Sequence, residues 1–394
     1  MTPDFLRHGT PAAVLRALPG ARAVGGAVRD FLAGREIHDV DVAVALPPDE
    51  VSRLLRAAGL RVFETGLKHG TVTAVLDREP VEVTSLRRDV ATDGRHAEVE
   101  WIADWREDAA RRDFTINAMS MGGDGEVHDF FGGREDLAAG RVRFVGVAAD
   151  RLAEDYLRAL RFFRFWARYG RGEPDAEAVA AIREAVPGLA RLSVERVWME
   201  LKRLFQAPDP RDALGLMAET GVLEAVLPEG ANIENVALLV AVGAPADPLL
   251  RFARLVRDAQ TPFAITERLK MSNAEAERIV NLSGAMPLDP RGLHVNLLRE
   301  QHGRVGLERI VDLLWISQAE EGSDWAWARE ALLADDPPIF PLRGQHAIDM
   351  GMEPGPQIGT LFKEIREWWL TNGAKADLQQ CLQKLRELAK LPPA

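Results

Sequence analysis

The residues best placed to do chemistry begin with Asp39-Val40-Asp41-Val42. In a β-strand, side chains two apart point to the same face, so this spacing predicts two carboxylates projecting together while Val40 and Val42 enter the core. Paired carboxylate oxygens suit Mg²⁺, which takes a few acidic ligands and completes its shell with water and phosphate oxygens. Upstream, Val24-Gly25-Gly26-Ala27-Val28-Arg29-Asp30 predicts a strand end, a glycine turn and a helix start, where backbone N–H groups can meet a phosphate. Glu82, between Val81 and Val83, faces away from the core. It is either a third acid at the metal site or an ordinary exposed strand residue. Three convergent acids, a glycine turn and Mg²⁺ describe metal-assisted nucleotidyl transfer.

Arginines must then hold the triphosphate. In Arg111-Arg112-Asp113-Phe114-Thr115-Ile116-Asn117, two guanidiniums precede a short predicted helix that Asp113 is placed to cap, with Asn117 on the same face. Taken alone, a capped surface helix with solvated arginines explains this segment as well. Residues 151–171 carry six arginines (151, 158, 161, 164, 168 and 171) against Glu154 and Asp155, a local +4 in a chain whose net charge is −11, which leaves −15 elsewhere. Read as one helix, Arg158, Arg161, Arg164, Arg168 and Arg171 fall within an arc of roughly 140°. Tyr156, Ala159, Leu160, Phe162, Phe163 and Trp166 take the opposite, core-facing side. Like charges three and four apart destabilise a helix unless anions compensate, and a phosphate-bearing ligand is the natural compensator.

The elements that must position these groups divide the chain in two. Short β-branched runs, including Val72–Leu76 and Val81–Thr84 around the turn Asp77-Arg78-Glu79-Pro80, mark the first 150 residues and predict a hairpin. From about Arg151 the spacing is helical throughout, broken at Gln206–Pro210, Pro245–Pro248, Pro287–Gly292 and Asp335–Pro338. The expected class is α+β followed by an all-helical remainder. One cysteine, Cys381, excludes a disulfide framework and a cysteine-rich zinc site, and fits a reducing compartment. No apolar run is long enough to span a bilayer, and Asp4, Arg7 and His8 stand where a signal peptide would be apolar, so a cytoplasmic protein with no membrane partner is expected. The acidic balance excludes a basic coat, so any nucleic acid must be held by a local patch.

The ordered set Gly25-Gly26-x-Val28-Arg29-Asp30, Asp39-x-Asp41, Arg111-Arg112-Asp113-x-x-x-Asn117 and Glu154-Asp155-x-x-Arg158 resembles the class II tRNA nucleotidyltransferases, the CCA-adding enzymes and their poly(A) polymerase relatives. The resemblance implies a polymerase-β-like head with a mixed sheet (1–140), a helical neck (141–205), a helical body (206–290) and a helical, tRNA-binding tail (291–394). It implies Asp39, Asp41 and Glu82 as catalytic acids, the first two binding Mg²⁺. It further implies Gly25, Gly26, Arg29, Arg112, Asp113, Asn117, Asp155, Arg158, Arg161 and Arg164 as nucleotide-binding, and the tRNA acceptor arm, CTP and ATP as partners, with no protein partner.

Glu154-Asp155-x-x-Arg158 would serve as an amino-acid template for the base. The chemistry agrees, because cytosine and adenine both present an amino donor beside a ring-nitrogen acceptor, matched by a carboxylate and a guanidinium. Uracil and guanine invert the pattern. The resemblance also places a flexible loop at Arg87–His96, which an ordinary surface loop explains as well; its full length favours complete CCA addition over CC-only addition, and A-only addition stays an alternative. Gly344–Gly359, with Pro354-Gly355-Pro356, resembles a tail motif, a turn that meets an RNA phosphate or simply joins two helices; His346 stands where that motif usually has an acid. His38-Asp39 and His128-Asp129 lack the further histidines of a phosphohydrolase domain. Poly(A) polymerase and a non-catalytic RNA-binding protein are the alternatives.

Overall fold

The computed structural model describes residues 3–67, 70–92, 97–259, 261–285, 295–334 and 338–390. They form two compact units, Met1–Glu229 with Arg268–Lys270, and Gly230–Glu267 with Met271–Ala394.

The first unit is built on a seven-stranded mixed sheet of order β3-β4-β5-β2-β1-β8-β9. Its strands are β1 (Arg22–Val24), β2 (Asp41–Val44), β3 (Arg61–Gly66), β4 (Thr71–Leu76), β5 (Glu79–Ser85), β8 (Ser120–Gly122) and β9 (Val127–His128). Strand β2 runs parallel to β5, with Val42 opposite Val83, and antiparallel to β1. The expected hairpin is β4–β5, and its turn is only Asp77-Arg78, both at positive φ, the geometry that matches the right-handed strand twist. Glu79 and Pro80 belong to β5. Val42, Val44, Val72, Ala74, Val81 and Val83 pack on one face against Val14 of α1 (Gly9–Ala17), Leu18 just after it, and Val51 and Leu55 of α3 (Pro48–Ala57). Each such buried aliphatic contributes about 1.5–3 kcal/mol. Covering that face leaves Glu82 exposed on the other, as the alternation predicts.

Three local expectations are corrected. Strand β2 begins at Asp41, so Asp39 lies in the segment before the strand and not in it. Of the loop expected at 87–96, Arg87–Thr92 form a strand, β6, paired with β7 (Ala97–Trp101), and Asp93–His96 lie outside the described residues. Residues 151–171 are not one helix. Helix α6 (Ala148–Glu154) stops at Asp155, whose extended φ of −156° and ψ of 105° break the path before α7 (Leu157–Tyr169) starts.

The remaining helices of this unit are α2 (Gly26–Leu32), α4 (Trp105–Ala110), α5 (Gly133–Ala139), α8 (Ala176–Ala185), α9 (Val194–Phe205), α10 (Arg211–Glu219) and α11 (Val222–Val226). Phe162 and Phe163 of α7 are fully buried, and Phe162 stacks on Phe144 and Trp166 with ring centroids 6.2 and 6.5 Å apart. The aromatic side of α7 is therefore core.

The second unit is helical: α12 (Ile233–Ala241), α13 (Pro248–Leu255), α14 (Pro262–Arg268), α15 (Asn273–Ser283), α16 (Val295–Val305), α17 (Leu307–Glu321), α18 (Ala326–Leu333), α19 (Gly344–Asp349), α20 (Pro356–Thr371) and α21 (Leu378–Ala389). Helix α14 runs across the unit boundary at its last residue. The proline break at 206–210 falls between helices, that at 245–248 ends with Pro248 opening α13, and the breaks at 287–292 and 335–337 lie outside the described residues. Pro354-Gly355-Pro356 joins α19 to α20, with Pro356 in the first turn of α20, where its missing N–H costs nothing. His346 Nδ1 accepts a hydrogen bond from the Arg343 backbone N–H at 3.0 Å, a capping role. Among the described residues no helix is long and apolar enough to cross a membrane.

Candidate active site

A cavity of ≈ 460 Å³ in the first unit gathers Gly25, Gly26, Arg29, Asp41, Arg112, Asp113, Asn117, Asp155, Arg158, Arg161 and Arg164. Of the residues singled out from the sequence, Asp39 and Glu82 do not line it. Leu157, Phe165 and Arg196, which sequence reasoning passed over, do.

Gly25 sits at φ 64°, ψ −119°, a region closed to most side chains, and caps the N-terminus of α2. A Cβ there would stand 3.0 Å from the Arg112 guanidinium, so glycine allows strand, helix and arginine to converge. On β2, Asp41 stands one residue before the Val42–Val83 pair, and Glu82 stands at the same offset on β5. The Asp41 carboxyl is pushed above the ordinary range, first by loss of water in the concave site and then by the Glu82 charge, with Arg112 opposing and Asp39 adding. Asp41 keeps exposed surface, yet protein surrounds it more closely than that exposure suggests. A group held at such cost is one that a cation would relieve. Among the described residues no cluster of three metal-ligating side chains closes, and Glu82 and Asp39 are the acids whose charges reach Asp41.

The arginines are held by a network that only the folded chain makes visible. Arg29 forks onto Asp30 at 3.0 and 2.9 Å and donates to Asn117 Oδ1 at 2.6 Å. Asn117 Nδ2 in turn donates to Asp113 Oδ1 at 3.0 Å, confirming the shared face, although the predicted helix is a single 3-10 turn, Thr115–Asn117, that Asp113 does not cap. Asp113 is buried, which alone would raise its pKa. The Arg161 guanidinium, 2.7 Å away, and bonds from Asn117 and the Phe114 N–H overcome this and hold it below the usual carboxylate range. Arg112 is tied at 3.3 Å to buried Asp108, which also takes Arg111.

The expectation that the α7 arginines lack protein anions is corrected. Glu200 of α9, 3 % exposed, accepts from Arg164 Nε at 2.6 Å and lies 3.9 Å from Arg161. Arg158 bonds Glu154 at 2.6 Å and the Arg151 and Arg111 carbonyls at 3.1 and 3.3 Å. Asp155 takes the Leu157 N–H at 3.1 Å and the Arg196 guanidinium at 2.6 Å. Arg29, Arg161 and Arg164 lie 5.0, 5.6 and 4.1 Å from the Phe165 ring centroid, a contact that keeps guanidiniums grouped without neutralising them. Arg196 and Glu200 stand four apart on α9 and both meet groups at the start of or along α7, but that spacing names no partner, so the sequence alone does not mark them.

In all, the cavity is lined by six guanidiniums and three carboxylates. Each of the six is paired with a carboxylate of the protein, Asp30, Asp108, Glu154, Asp113, Glu200 or Asp155, and it is the N–H donors left over, held in fixed directions, that suit a triphosphate.

Residues 21–143 match the family described as Poly A polymerase head domain, and residues 173–233 that described as Probable RNA and SrmB-binding site of polymerase A. Over 386 residues the chain is 37% identical to the mitochondrial CCA tRNA nucleotidyltransferase 1 of Mus musculus, covering 93% of this chain and 86% of that protein. It is 31% identical over 353 residues to the CCA-adding enzyme of Lactobacillus gasseri, covering 87% of each. Its structure is similar to that of the Bacillus stearothermophilus CCA-adding enzyme in complex with CTP, with a TM-score of 0.77, 28% identity and coverage of 99% and 98%.

Proposed function

Because the chain belongs to the family of CCA-adding tRNA nucleotidyltransferases, we propose that it adds C, C and then A to the 3′ end of tRNA from CTP and ATP without a nucleic-acid template. The tRNA 3′ oxygen forms a bond to the α-phosphorus of the incoming nucleotide, the bond from that phosphorus to the bridging oxygen breaks, and pyrophosphate leaves.

Asp39 and Asp41 would hold the divalent cation, with Glu82 as the candidate third acid, and Mg²⁺ is the ion that two carboxylates and triphosphate oxygens would suit. When bound it neutralises phosphate charge and makes the attacking hydroxyl more acidic. Gly25, Gly26, Arg29, Arg112, Arg161 and Arg164 receive the triphosphate, while Asp113 and Asn117 keep Arg29 and Arg161 aimed at it. Asp155 accepts from the amino group of cytosine or adenine, and Arg158 donates to the ring nitrogen. Arg196 fixes the Asp155 carboxylate in place. The working division is a head over 1–140, a neck over 141–205, a body over 206–290 and a tail over 291–394, the last two receiving the tRNA. We place the activity in the cytoplasm, where a single buried thiol, Cys381, is in keeping with reducing conditions.

The observation that carries this reading is the one cavity in which Asp41, the arginines and the Asp155–Arg158 pair meet. Asp155→Ala or Arg158→Ala is expected to raise UTP and GTP misincorporation more than it weakens triphosphate binding. Misincorporation at the wild-type level in both variants contradicts the template assignment.

A further inference from the structure

A second cleft of the first unit, ≈ 540 Å³, is lined by Leu32, Ala33, Leu137, Ala138, Tyr169, Gly170 and the four arginines Arg35, Arg134, Arg168 and Arg171, with no carboxylate among them. It shares no lining residue with the nucleotide cavity. We propose that this cleft is a second binding site for a phosphate-bearing anion.

Two of the arginines are fixed in place. Arg35 donates to the Arg168 carbonyl at 2.6 Å, and Arg171 to the Ala138 carbonyl at 2.8 Å, so each satisfies the C-terminal end of a helix, α7 or α5. Gly140 holds Arg171 further: a Cβ at this positive-φ residue would fall 2.6 Å from the Arg171 side chain. Capping uses one or two of the five donors of each guanidinium, leaving the others for a ligand. Arg134 and Arg168 are exposed, and none of the four makes an ion pair among the described residues. The neighbouring acids are already spent or stand apart: Asp30 is taken by Arg29 and the Tyr169 hydroxyl, Asp136 by Arg141 and Arg143, and Glu36 and Glu135 do not line the cleft.

Four like charges around one concavity repel each other, and the helix C-termini offset only part of that. An anion with two or more charges, offering several oxygens to planar donors, is the ligand this arrangement accommodates. The Tyr169 ring separates the two cavities, with Arg29 4.6 Å from its centroid and Arg35 5.0 Å.

The test is calorimetric titration of the full chain with inorganic pyrophosphate, without tRNA and with CTP at saturation to fill the first cavity. The wild type is expected to bind pyrophosphate under these conditions, and R134A/R168A to bind it roughly tenfold more weakly or worse, with CTP affinity and circular dichroism unchanged. Loss of pyrophosphate binding on CTP saturation, or unchanged binding by the double variant, overturns the proposal. A short RNA ending in a 3′-phosphate names the source of the ligand. Displacement of pyrophosphate by that RNA assigns the cleft to a backbone phosphate, and failure to displace it assigns the cleft to free pyrophosphate or polyphosphate; either supports the site.

Discussion

At the scale of single residues, Asp41 concentrates the conflict between stability and function. Its carboxyl pKa is raised in the fold, chiefly by loss of water and then by Glu82, so the folded protein binds that proton more tightly than the unfolded chain. Its contribution to stability therefore falls as pH rises from the ordinary aspartate range near about 3.9 through the raised value, and the cost is present above it. Asp41→Asn is expected to abolish transfer and yet raise the Tm of the metal-free protein at pH 7, on the order of 1–2 °C. The gain should vanish near pH 4, and added Mg²⁺ should raise the Tm of the wild type only. A lower Tm at pH 7 in the variant would mean that Asp41 serves the fold. Arg158, Arg161 and Arg164, which line the cavity from α7, were legible from helical period, whereas the two-residue period that paired Asp39 with Asp41 does not hold, because β2 begins at Asp41. Arg196, Glu200 and Phe165 were not legible as site residues. Glu200 answers Arg164 across 36 positions, and nothing in local spacing reports such a pairing.

At the scale of elements, the break between α6 and α7 shapes the base-reading end of the site. Helical periodicity continues through it, so the sequence reads as one helix. Tertiary contacts decide otherwise, as Asp155 bonds both the Leu157 N–H and Arg196, and the Tyr156 ring lies over Gly188. A Cβ on Gly188 would meet that ring at 2.1 Å. Gly188→Ala should cost about 1–3 kcal/mol by overpacking and, by displacing Tyr156, disturb Asp155. The expected result is a lower Tm with weaker rejection of UTP and GTP; intact stability and fidelity together would show that the break is not held by this contact. The β4–β5 hairpin was legible because alternation and turn residues are local signals. Strands β8 and β9, three and two residues long, fall below what alternation can report.

At the scale of the molecule, a net charge of −11 conceals a cavity lined by six guanidiniums. An acidic exterior should discourage indiscriminate contact with RNA and leave binding to the grooves that carry arginine. Affinity for random single-stranded RNA is accordingly expected to be weak at physiological salt and well below that for tRNA; equal affinity for both in a filter-binding series would contradict this. The change from strands to helices was legible from the change of period near Arg151, whereas the place where contacts separate, after Glu229, has no signature in the periodicity, because the helices between the two belong to the sheet-bearing unit. The central claim is that this one cavity selects C twice and then A at a tRNA end. The most direct measurement is to offer the purified protein tRNA ending before, within and just short of CCA, with each nucleoside triphosphate and with CTP and ATP together, and to sequence the products. The account predicts completion to CCA and a stop there; long A runs on the CC-ended tRNA, or no extension by CTP, would contradict it.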